Sequence, residues 1–315
     1  MGRGSGYGKV ILFGEHFVVH GVPGIVSAID ATCDAEAKKV ETPGINVRDE
    51  RKGSKGYAEK KKIQQRESID RMLEAMGLEK NISIDIWLGG NLPGFSGIGA
   101  SAASSVAIAR AISEEFGLNL SDEKINEAAY EAEKAYAGTP SGIDNTAATF
   151  GGLIWFKKNL AGGPNKIERL NIQEPVEIIM ANSGIVADTK EMVLGVAERK
   201  KKHPEIYNRL FKEYDELAFK ARKALEDFDL KRVGELMNDN HRLLQGIEVS
   251  CKELDYLVDL ARRNGAYGAK LTGGGGGGCI VALTPGRELQ EKIAGAIEKE
   301  GFKVLKTKVG VQKSI

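Results

Sequence analysis

The sequence predicts a fold that combines β-strands with α-helices, and three kinds of segment support this prediction. Short apolar runs next to glycine, such as residues 9–13 and 279–283, are typical of buried strands. Helical periodicity dominates residues 189–261. Glycine-rich loops adjoin several strands, as at residues 89–99 and 273–278. No internal repeat of fixed period accompanies them.

The remaining elements follow from apolar patterning and from turn residues. Strands are predicted where apolar or alternating runs are bounded by glycine and proline, at residues 17–19, 24–29, 82–88, 153–156 and 176–180. A tightly packed helix is predicted over the small residues 100–112. A second helix should begin at Ser121, a capping residue, and end near Tyr136. The highly charged residues 47–71 should start a solvated helix near Lys60–Lys62.

Length and charge limit the class of protein. A chain of 315 residues can form one large domain or two fused lobes. Its 45 basic and 44 acidic side chains nearly cancel, so charge does not favour a nucleic-acid partner. The basic runs at residues 60–62 and 199–202 are better explained as solvated helix faces. Composition changes little along the chain, and we place a domain boundary near Pro175.

Cysteine usage and hydropathy indicate a cytoplasmic protein. The three cysteines show no paired spacing, which argues against a disulfide framework and against a zinc site; they are Cys33, Cys251 and Cys279. No apolar run approaches the length that spans a membrane. The N-terminal segment lacks a signal-peptide pattern. We therefore expect no membrane association.

Residues 94–105 carry the most informative chemical pattern. Gly97 and Gly99 permit a close approach of the main chain to a ligand, and a helix follows at once. The free N–H groups and positive dipole at the start of a helix suit phosphates. Ser101 and Ser104 add hydroxyl groups there, and one such group could reach a magnesium ion.

This loop has three other interpretations. The spacing Gly97-x-Gly99-x-x-Ala102 matches a dinucleotide fingerprint, but that motif requires a following strand that ends in an acidic residue. A second helix is predicted there instead. Gly8-Lys9 does not complete a phosphate-binding motif of the Walker A type. Glycines that merely pack a helix on a strand remain the alternative.

A second glycine cluster, residues 273–278, also indicates a ligand-facing loop. Six consecutive glycines cannot form the interior of a regular strand. The alternative is a flexible linker. Linkers of that kind have polar flanks, whereas apolar strands are predicted on both sides of this cluster.

Two acidic residues and a lysine complete the candidate site. Asp144 stands in a turn held by glycine and proline, where it could be a base, a metal ligand or a helix cap. Glu133 near the end of the preceding helix opposes the helix dipole and needs a cation, unless it lies on a solvated face. Lys9 begins a buried strand and needs a counter-ion. His16, taken alone, is more often structural.

Taken together and in this order, these clusters resemble the motifs of the GHMP kinases, and above all those of archaeal and trypanosomatid mevalonate kinases. Residues 8–16 resemble the first family motif, residues 93–102 the second and residues 270–278 the third. Residues 140–145 read Pro-Ser-Gly-Ile-Asp-Asn, as in mevalonate kinases. The resemblance covers nearly the whole chain. Two positions depart from it: Ala100 replaces a serine, and Gly274 replaces an alanine.

The resemblance implies an α+β, two-lobed GHMP kinase fold with the active site in the cleft between the lobes. Residues 1–174 would form the ATP-binding lobe, and residues 175–315 the C-terminal lobe. The implied reaction is ATP-dependent phosphorylation of (R)-mevalonate to 5-phosphomevalonate, in the isoprenoid pathway. Mevalonate and ATP would be the small-molecule partners, with Mg²⁺ as cofactor.

The resemblance also implies roles for individual residues. Asp144 would be the catalytic base and Lys9 its catalytic partner. The metal would be held by Ser101 and Glu133. ATP would be bound by Pro93, Gly94, Ser96, Gly97, Ile98, Gly99, Ala100, Ser101, Ala102 and Ser104. The substrate would be bound by Lys9, Glu15, His16, Asp144, Thr189, Gly273 and Gly274.

Two alternative functions remain open on the sequence alone. The chain could be another GHMP kinase that acts on phosphomevalonate, homoserine or a sugar. It could be a non-catalytic binding protein on the same fold, although the joint presence of Lys9, Glu133 and Asp144 argues against an inactive site. The oligomeric state is not decided, and a homodimer is one of the open states.

Overall fold

The chain forms two compact units, and each unit collects residues from more than one part of the sequence. The structure, a computed structural model, describes residues 1–51, 62–93, 97–138 and 140–311. Within these ranges, the first unit consists of residues 1–9 and 28–151, and the second of residues 10–27 and 152–311. Strands β1 (Gly2–Phe13) and β2 (Gly24–Lys39) contribute residues to both units. The functional division into lobes 1–174 and 175–315 stays a prediction.

The first unit places helices beside a small sheet. Strand β3 (Ile45–Asp49) runs parallel to β4 (Ile84–Gly90), β4 is antiparallel to β2, and β1 also pairs with β2. The helices that the structure describes in this unit are α1 (Lys62–Ala75), α2 (Ala100–Glu115), α3 (Asp122–Ala137) and α4 (Ile143–Phe150). Helix α3 packs against the other three.

Helix α2 lies unusually close to strand β1. Gly2, Gly4 and Gly6 alternate along the strand and face the helix. A Cβ atom on any of them would come within 3.0 Å of a main-chain carbonyl oxygen of α2, a distance that real side chains do not reach. Most residues of α2 are buried alanine, serine or isoleucine. Small residues on both elements therefore allow the contact that positions the start of α2.

The second unit is built on an antiparallel sheet. Its strands lie in the order β10 (Lys303–Val309), β7 (Val176–Asn182), β9 (Cys279–Leu283) and β8 (Gly268–Thr272). Strand β5 (Leu153–Lys157) pairs with the start of β2 and with β6 (Lys166–Leu170). The helices are α5 (Thr189–Lys202), α6 (Pro204–Glu226), α7 (Leu230–Gly246), α8 (Lys252–Arg263) and α9 (Arg287–Lys299). Helices α7 and α8 pack on β8.

Most of the predicted elements are confirmed. The strands expected at residues 24–29, 82–88, 153–156, 176–180 and 279–283 lie in β2, β4, β5, β7 and β9. Helix α3 begins after Ser121, whose side chain accepts a hydrogen bond from the N–H of Lys124. The helical stretch from residue 189 is confirmed as α5 to α8.

One predicted strand is wrong, and three strands were missed. Residues 17–19 belong to a 3₁₀ helix, Glu15–His20, between Gly14 at φ 126° and Gly21 at φ 78°. The two positive φ angles turn the chain sharply, so the apolar run between them cannot extend. Strands β3, β6 and β10 were not predicted. Among the described helices, none is both long and apolar enough to cross a membrane.

Candidate active site

The first unit brings Lys9 and Asp144 together. The Nζ atom of Lys9 lies 3.0 Å from Oδ1 of Asp144. The lysine side chain is 4% exposed, whereas that of the aspartate is 35% exposed. A buried cation therefore holds a carboxylate that a substrate can still reach.

Helix α4 positions Asp144 in its first turn. The N-cap of this helix is Gly142 at φ 88°, without a side-chain capping bond. The interpretation of Asp144 as a helix cap is therefore wrong. A carboxylate in the first turn lies near the positive end of the helix dipole, where a negative charge is favourable.

The glycine loop before α2 fixes the position of Lys9. The main-chain N–H of Lys9 donates to the carbonyl oxygen of Ile98 over 2.9 Å. Gly99 has φ 70°, and a Cβ atom there would lie 2.6 Å from Cγ of Lys9. Only glycine combines this conformation with the space that the lysine stem needs.

Helix α2 presents the candidate anion site. Gly97 at φ 97° and Gly99 lead into Ala100, the first residue of the helix. Free N–H groups at this end can bind phosphate oxygens. Residues 116–121, which the structure describes in full, form no strand between α2 and α3, so the dinucleotide fingerprint does not apply. Gly94 and Ser96, both predicted to bind ATP, lie outside the described residues.

The other residues predicted to bind ATP lie around this turn. The side chains of Ile98 and Ala102 are fully buried, and Ala100 is nearly so. The hydroxyl of Ser104 donates to the main-chain carbonyl of Ser101 over 2.9 Å. Pro93 is partly buried at the end of the preceding segment. Their assignment to ATP stays a prediction.

Ser101 and Glu133 form a pair of oxygen ligands. Glu133 lies in α3 and is 5% exposed, so it is not on a solvated helix face. The hydroxyl of Ser101 donates to Oε2 of Glu133 over 3.2 Å. Hydroxyl and carboxylate oxygens suit Mg²⁺, which usually keeps one or two protein ligands and takes the rest from phosphate and water. Within the described ranges, no group of three or more His, Cys, Asp or Glu residues could hold a metal. This donor set fits a nucleotide-bound ion.

In the second unit, His16 is bound to the other glycine loop. Its Nε2 atom lies 2.8 Å from the carbonyl oxygen of Gly274 and must donate to it. Burial lowers the pKa of His16, the bond to Gly274 opposes this effect, and Arg199 lowers the pKa further. The ring is therefore neutral near pH 7. Its Nδ1 atom is buried and has no hydrogen-bond partner among the described residues.

Glu15 lies next to His16 and pairs with Lys270, a residue to which the sequence motifs assign no role. The ammonium group of Lys270 contacts the carboxylate of Glu15, and both side chains are fully buried. The same ammonium donates to the carbonyl of Leu271 over 2.6 Å. Burial lowers the pKa of Lys270 and outweighs the opposite effect of Glu15. A lysine inside an apolar strand was the signal for this pair, as it was for Lys9.

The loop 273–278 is fixed, so the interpretation as a flexible linker is wrong. The N–H groups of Gly276 and Gly278 donate to the carbonyls of Val249 and Ile185, both over 2.9 Å. Gly273 has φ 88°, a value that favours glycine.

Thr189 lies against the same loop. A Cβ atom on Gly274 would come 2.5 Å from Oγ1 of Thr189. An alanine at position 274 would therefore crowd the side chain of Thr189, and glycine avoids this contact. The structure thus gathers the five residues of this unit predicted to bind the substrate, namely Glu15, His16, Thr189, Gly273 and Gly274. Their assignment to a substrate stays a prediction.

Comparison with known proteins identifies the family. Residues 64–152 match the family described as GHMP kinases N terminal domain, and residues 221–303 match GHMP kinases C terminal. The two matches together cover more than half of the chain. The chain belongs to the GHMP kinase family, whose members bind ATP.

Full-length relatives are named mevalonate kinase. The protein of that name from Pyrococcus horikoshii is 37% identical over 93% of this chain and 91% of its own. The one from Archaeoglobus fulgidus is 33% identical over 95% of this chain and 98% of its own. The crystal structure of Leishmania major mevalonate kinase in complex with R-mevalonate has a TM-score of 0.93 and 38% identity, covering 100% of this chain and 97% of that one. The resemblance to archaeal and trypanosomatid mevalonate kinases is confirmed.

Proposed function

We propose that this chain transfers the terminal phosphoryl group of ATP to the primary hydroxyl of (R)-mevalonate, giving 5-phosphomevalonate and ADP. The observation that carries the proposal is the pair of Lys9 and Asp144, in which a buried ammonium group holds a partly exposed carboxylate 3.0 Å away. Proteins named mevalonate kinase are similar to this chain over nearly its full length, and this similarity supports mevalonate as the substrate.

Asp144 is the proposed base. Its carboxylate accepts the proton of the substrate hydroxyl as the oxygen bonds to phosphorus. Lys9 pairs with the carboxylate and stabilises the oxygen that loses its proton. Phosphoryl transfer demands alignment and charge neutralisation more than covalent chemistry from the protein. These two residues supply the proton acceptor and one of the positive charges.

The start of α2 is the proposed triphosphate site. The main chain of residues 97–101 offers N–H groups to the phosphate oxygens. Ser101 and Glu133 would hold Mg²⁺, and when bound this ion neutralises phosphate charge. The residue pair fits that ion by the chemistry of its oxygen atoms.

The second unit supplies the proposed mevalonate contacts. His16 donates through Nε2 to Gly274, so its buried Nδ1 can only accept. A hydroxyl group is the matching partner, and mevalonate carries two. Thr189 and Gly273–Gly274, at the start of the glycine loop, are the other residues proposed to contact mevalonate.

A panel of acceptors tests the proposal. ADP release would be measured with (R)-mevalonate, 5-phosphomevalonate, homoserine and galactose at equal concentrations. We expect kcat/KM for (R)-mevalonate to exceed the others by at least about 10²-fold, because rivals leave polar groups of the site unpaired. A preference for another acceptor would identify a different GHMP kinase. ATP binding without ADP release from any acceptor would indicate a binding protein.

Cellular context remains part of the proposal. We place the activity in the cytoplasm, with ATP and mevalonate as small-molecule partners and without nucleic acid. Failure to bind heparin at moderate salt would support the last point. Light scattering on the purified chain decides whether it forms a homodimer.

A further inference from the structure

Three polar contacts in the second unit join residues 11–16 to residues 270–274. The hydroxyl of Thr272 donates to the carbonyl of Ile11 over 3.0 Å. His16 donates to Gly274, and Lys270 pairs with Glu15. The strand that leads into the glycine loop is therefore joined to the 3₁₀ helix that carries His16.

The ion pair between Lys270 and Glu15 joins strand β8 to the 3₁₀ helix, but its burial has an unfavourable free energy of desolvation. Both side chains are 0% exposed, so two charges have lost their hydration. Their mutual attraction often fails to exceed that loss, and an apolar pair of similar volume is frequently as stable. Stability alone therefore does not account for the pair. Its directional contacts, by contrast, define the positions of both partners.

Strand β8 cannot easily shift to follow Lys270. The N–H groups of Ala269 and Leu271, on either side of the lysine, donate to Asn238 Oδ1 over 3.0 Å and to His241 Nδ1 over 3.3 Å. Both acceptors belong to helix α7, which packs on the strand. The position of Lys270 is thus set by the sheet and the helix, and Glu15 must adapt to it.

We propose that Glu15 and Lys270 are positioning residues for the phosphoryl transfer, and that Glu15 does not itself contact the substrate. The pair fixes the 3₁₀ helix against β8, so that His16 and Gly273–Gly274 keep their places on the mevalonate side. This inference rests on the proposed function and refines it, because Glu15 was predicted to bind the substrate. Its sequence position next to His16, and that of Lys270 three residues before Gly273, explain how the effect is transmitted.

Three variants test the proposal: Lys270→Met, Glu15→Gln and the double variant. Lys270→Met leaves a buried carboxylate without its cation, so we expect kcat with mevalonate to fall about 10²-fold, the loss typical of a small misplacement. KM for ATP should change little. A buried carboxylate without a cation takes up a proton more readily. The single variant should therefore regain activity, relative to the wild type, as the pH falls.

The double variant separates positioning from substrate contact. Glu15→Gln with Lys270→Met replaces two charges by two neutral side chains of similar size. We expect it to recover part of the kcat lost in Lys270→Met and to lose the extra pH dependence. If Glu15 contacts the substrate, the double variant instead stays as inactive as Glu15→Gln alone.

Hydrogen exchange gives a readout that needs no substrate. Amide exchange of residues 273–278 should be faster in Lys270→Met than in the wild type. Ile293→Ala, a buried position in α9, is the matched control. It should lower Tm without changing exchange of the loop. Because this measurement is independent of catalysis, it still decides the positioning role if mevalonate proves to be the wrong acceptor.

The opposite results overturn the proposal. Unchanged kcat per folded molecule in Lys270→Met, together with a lower Tm, would make the pair purely structural. Unchanged exchange of residues 273–278 in folded Lys270→Met would show that the pair does not hold the loop. If Lys270→Met does not fold, Glu15→Gln and the double variant carry the same two measurements.

Discussion

Two lysine–carboxylate pairs differ in exposure, and this difference separates their roles. Asp144 is 35% exposed beside Lys9, whereas Glu15 and Lys270 are both fully buried. A carboxylate that is open to solvent can accept a proton from a substrate. A carboxylate enclosed with its lysine cannot reach one, although it can fix the main chain around it.

Lys9→Met should reduce turnover far more than stability. The aliphatic stem of methionine still packs against Gly99, and the Asp144 carboxylate left behind remains partly hydrated. We expect kcat to fall by about 10²–10³-fold, as when one charge-stabilising donor is removed. Tm should change little. Steady-state kinetics and thermal unfolding on one preparation measure both.

Lys124→Met is the control for this variant, because Lys124 is an exposed lysine paired with Glu127. It should leave turnover and Tm unchanged. A large fall in Tm for Lys9→Met, with normal turnover per folded molecule, would assign Lys9 a structural role.

Glu133→Gln should raise the Mg²⁺ concentration that is needed for half-maximal activity. The amide oxygen is a weaker ligand than the carboxylate, and even outer partners of metal ligands contribute about 10-fold to affinity. We expect an increase of at least about 10-fold in a Mg²⁺ titration. Glu131→Gln, on the same helix but paired with Lys134, is the matched control. Equal Mg²⁺ dependence in both variants would contradict the assignment.

At the scale of elements, the glycines of β1 set the position of helix α2. The sequence pattern predicts this helix and the glycine loop before it. It does not predict that helix α2 packs against Gly2, Gly4 and Gly6. Glycines near a terminus have no periodic apolar pattern that would indicate such a contact. The contact becomes visible only when strand and helix are placed together.

Gly6→Ala should therefore disturb the phosphate site by displacing the start of helix α2. The new Cβ atom would collide with a main-chain carbonyl of α2, which cannot rotate away. Overpacking of this kind costs about 1–3 kcal/mol, and displacement of α2 should also lower kcat/KM for ATP. Urea unfolding and steady-state kinetics measure the two effects.

The control is Gly295→Ala in helix α9, where a new Cβ atom meets open space. Alanine in a helix interior is favoured over glycine by up to about 1 kcal/mol. This variant should be as stable as the wild type or more so, with unchanged kinetics. A Gly6→Ala protein with wild-type stability and kcat/KM would show that α2 tolerates the shift.

At the scale of the whole molecule, helices were predicted better than strands. Long helices carry many periods of apolar residues, so α5 to α8 were evident from the sequence. Strands β3, β6 and β10 are short or highly charged, and the strands that pair with β3 and β10 are distant in sequence. No local pattern contains that pairing. The two discontinuous units cannot be predicted from the sequence either. Composition barely changes at the positions where β1 and β2 pass from one unit to the other.

The candidate site shows the same division between local and distant information. Motif order indicated Lys9, Asp144, Ser101 and Glu133. It assigns no role to Lys270, because a motif does not indicate that Glu15 contacts this lysine. Contacts between residues 255 positions apart require the folded sheet.

Stability should decrease as the pH falls, and His241 is one cause. Burial lowers the pKa of His241 to about 4, although Asp255 opposes the shift. The unfolded chain therefore binds a proton below about pH 6.5 that the folded chain does not bind until about pH 4. The N–H of Leu271 donates to Nδ1 of His241, which must stay unprotonated to accept it. One such proton reduces the free energy of unfolding by at most about 1.4 kcal/mol per pH unit.

His241→Gln isolates this contribution. The glutamine amide can accept from Leu271 and donate to Asp255 without titrating. Urea unfolding at pH 5.0, 5.75 and 6.5 should give a smaller slope of stability against pH for the variant than for the wild type. Asp255 is present in both the variant and the wild type, so the two proteins differ only in the titration of residue 241. Identical slopes would mean that His241 does not titrate differently in the folded and unfolded states.

The most direct test of the proposed chemistry is the turnover of Asp144→Asn with ATP and (R)-mevalonate. Asparagine keeps the shape of the side chain but cannot accept the hydroxyl proton, so kcat should fall by about 10²–10⁴-fold, while both substrates still bind by calorimetry. Asp85→Asn, an exposed aspartate in β4, should retain full activity. A folded Asp144→Asn protein with near wild-type kcat would contradict the assignment of Asp144 as the base.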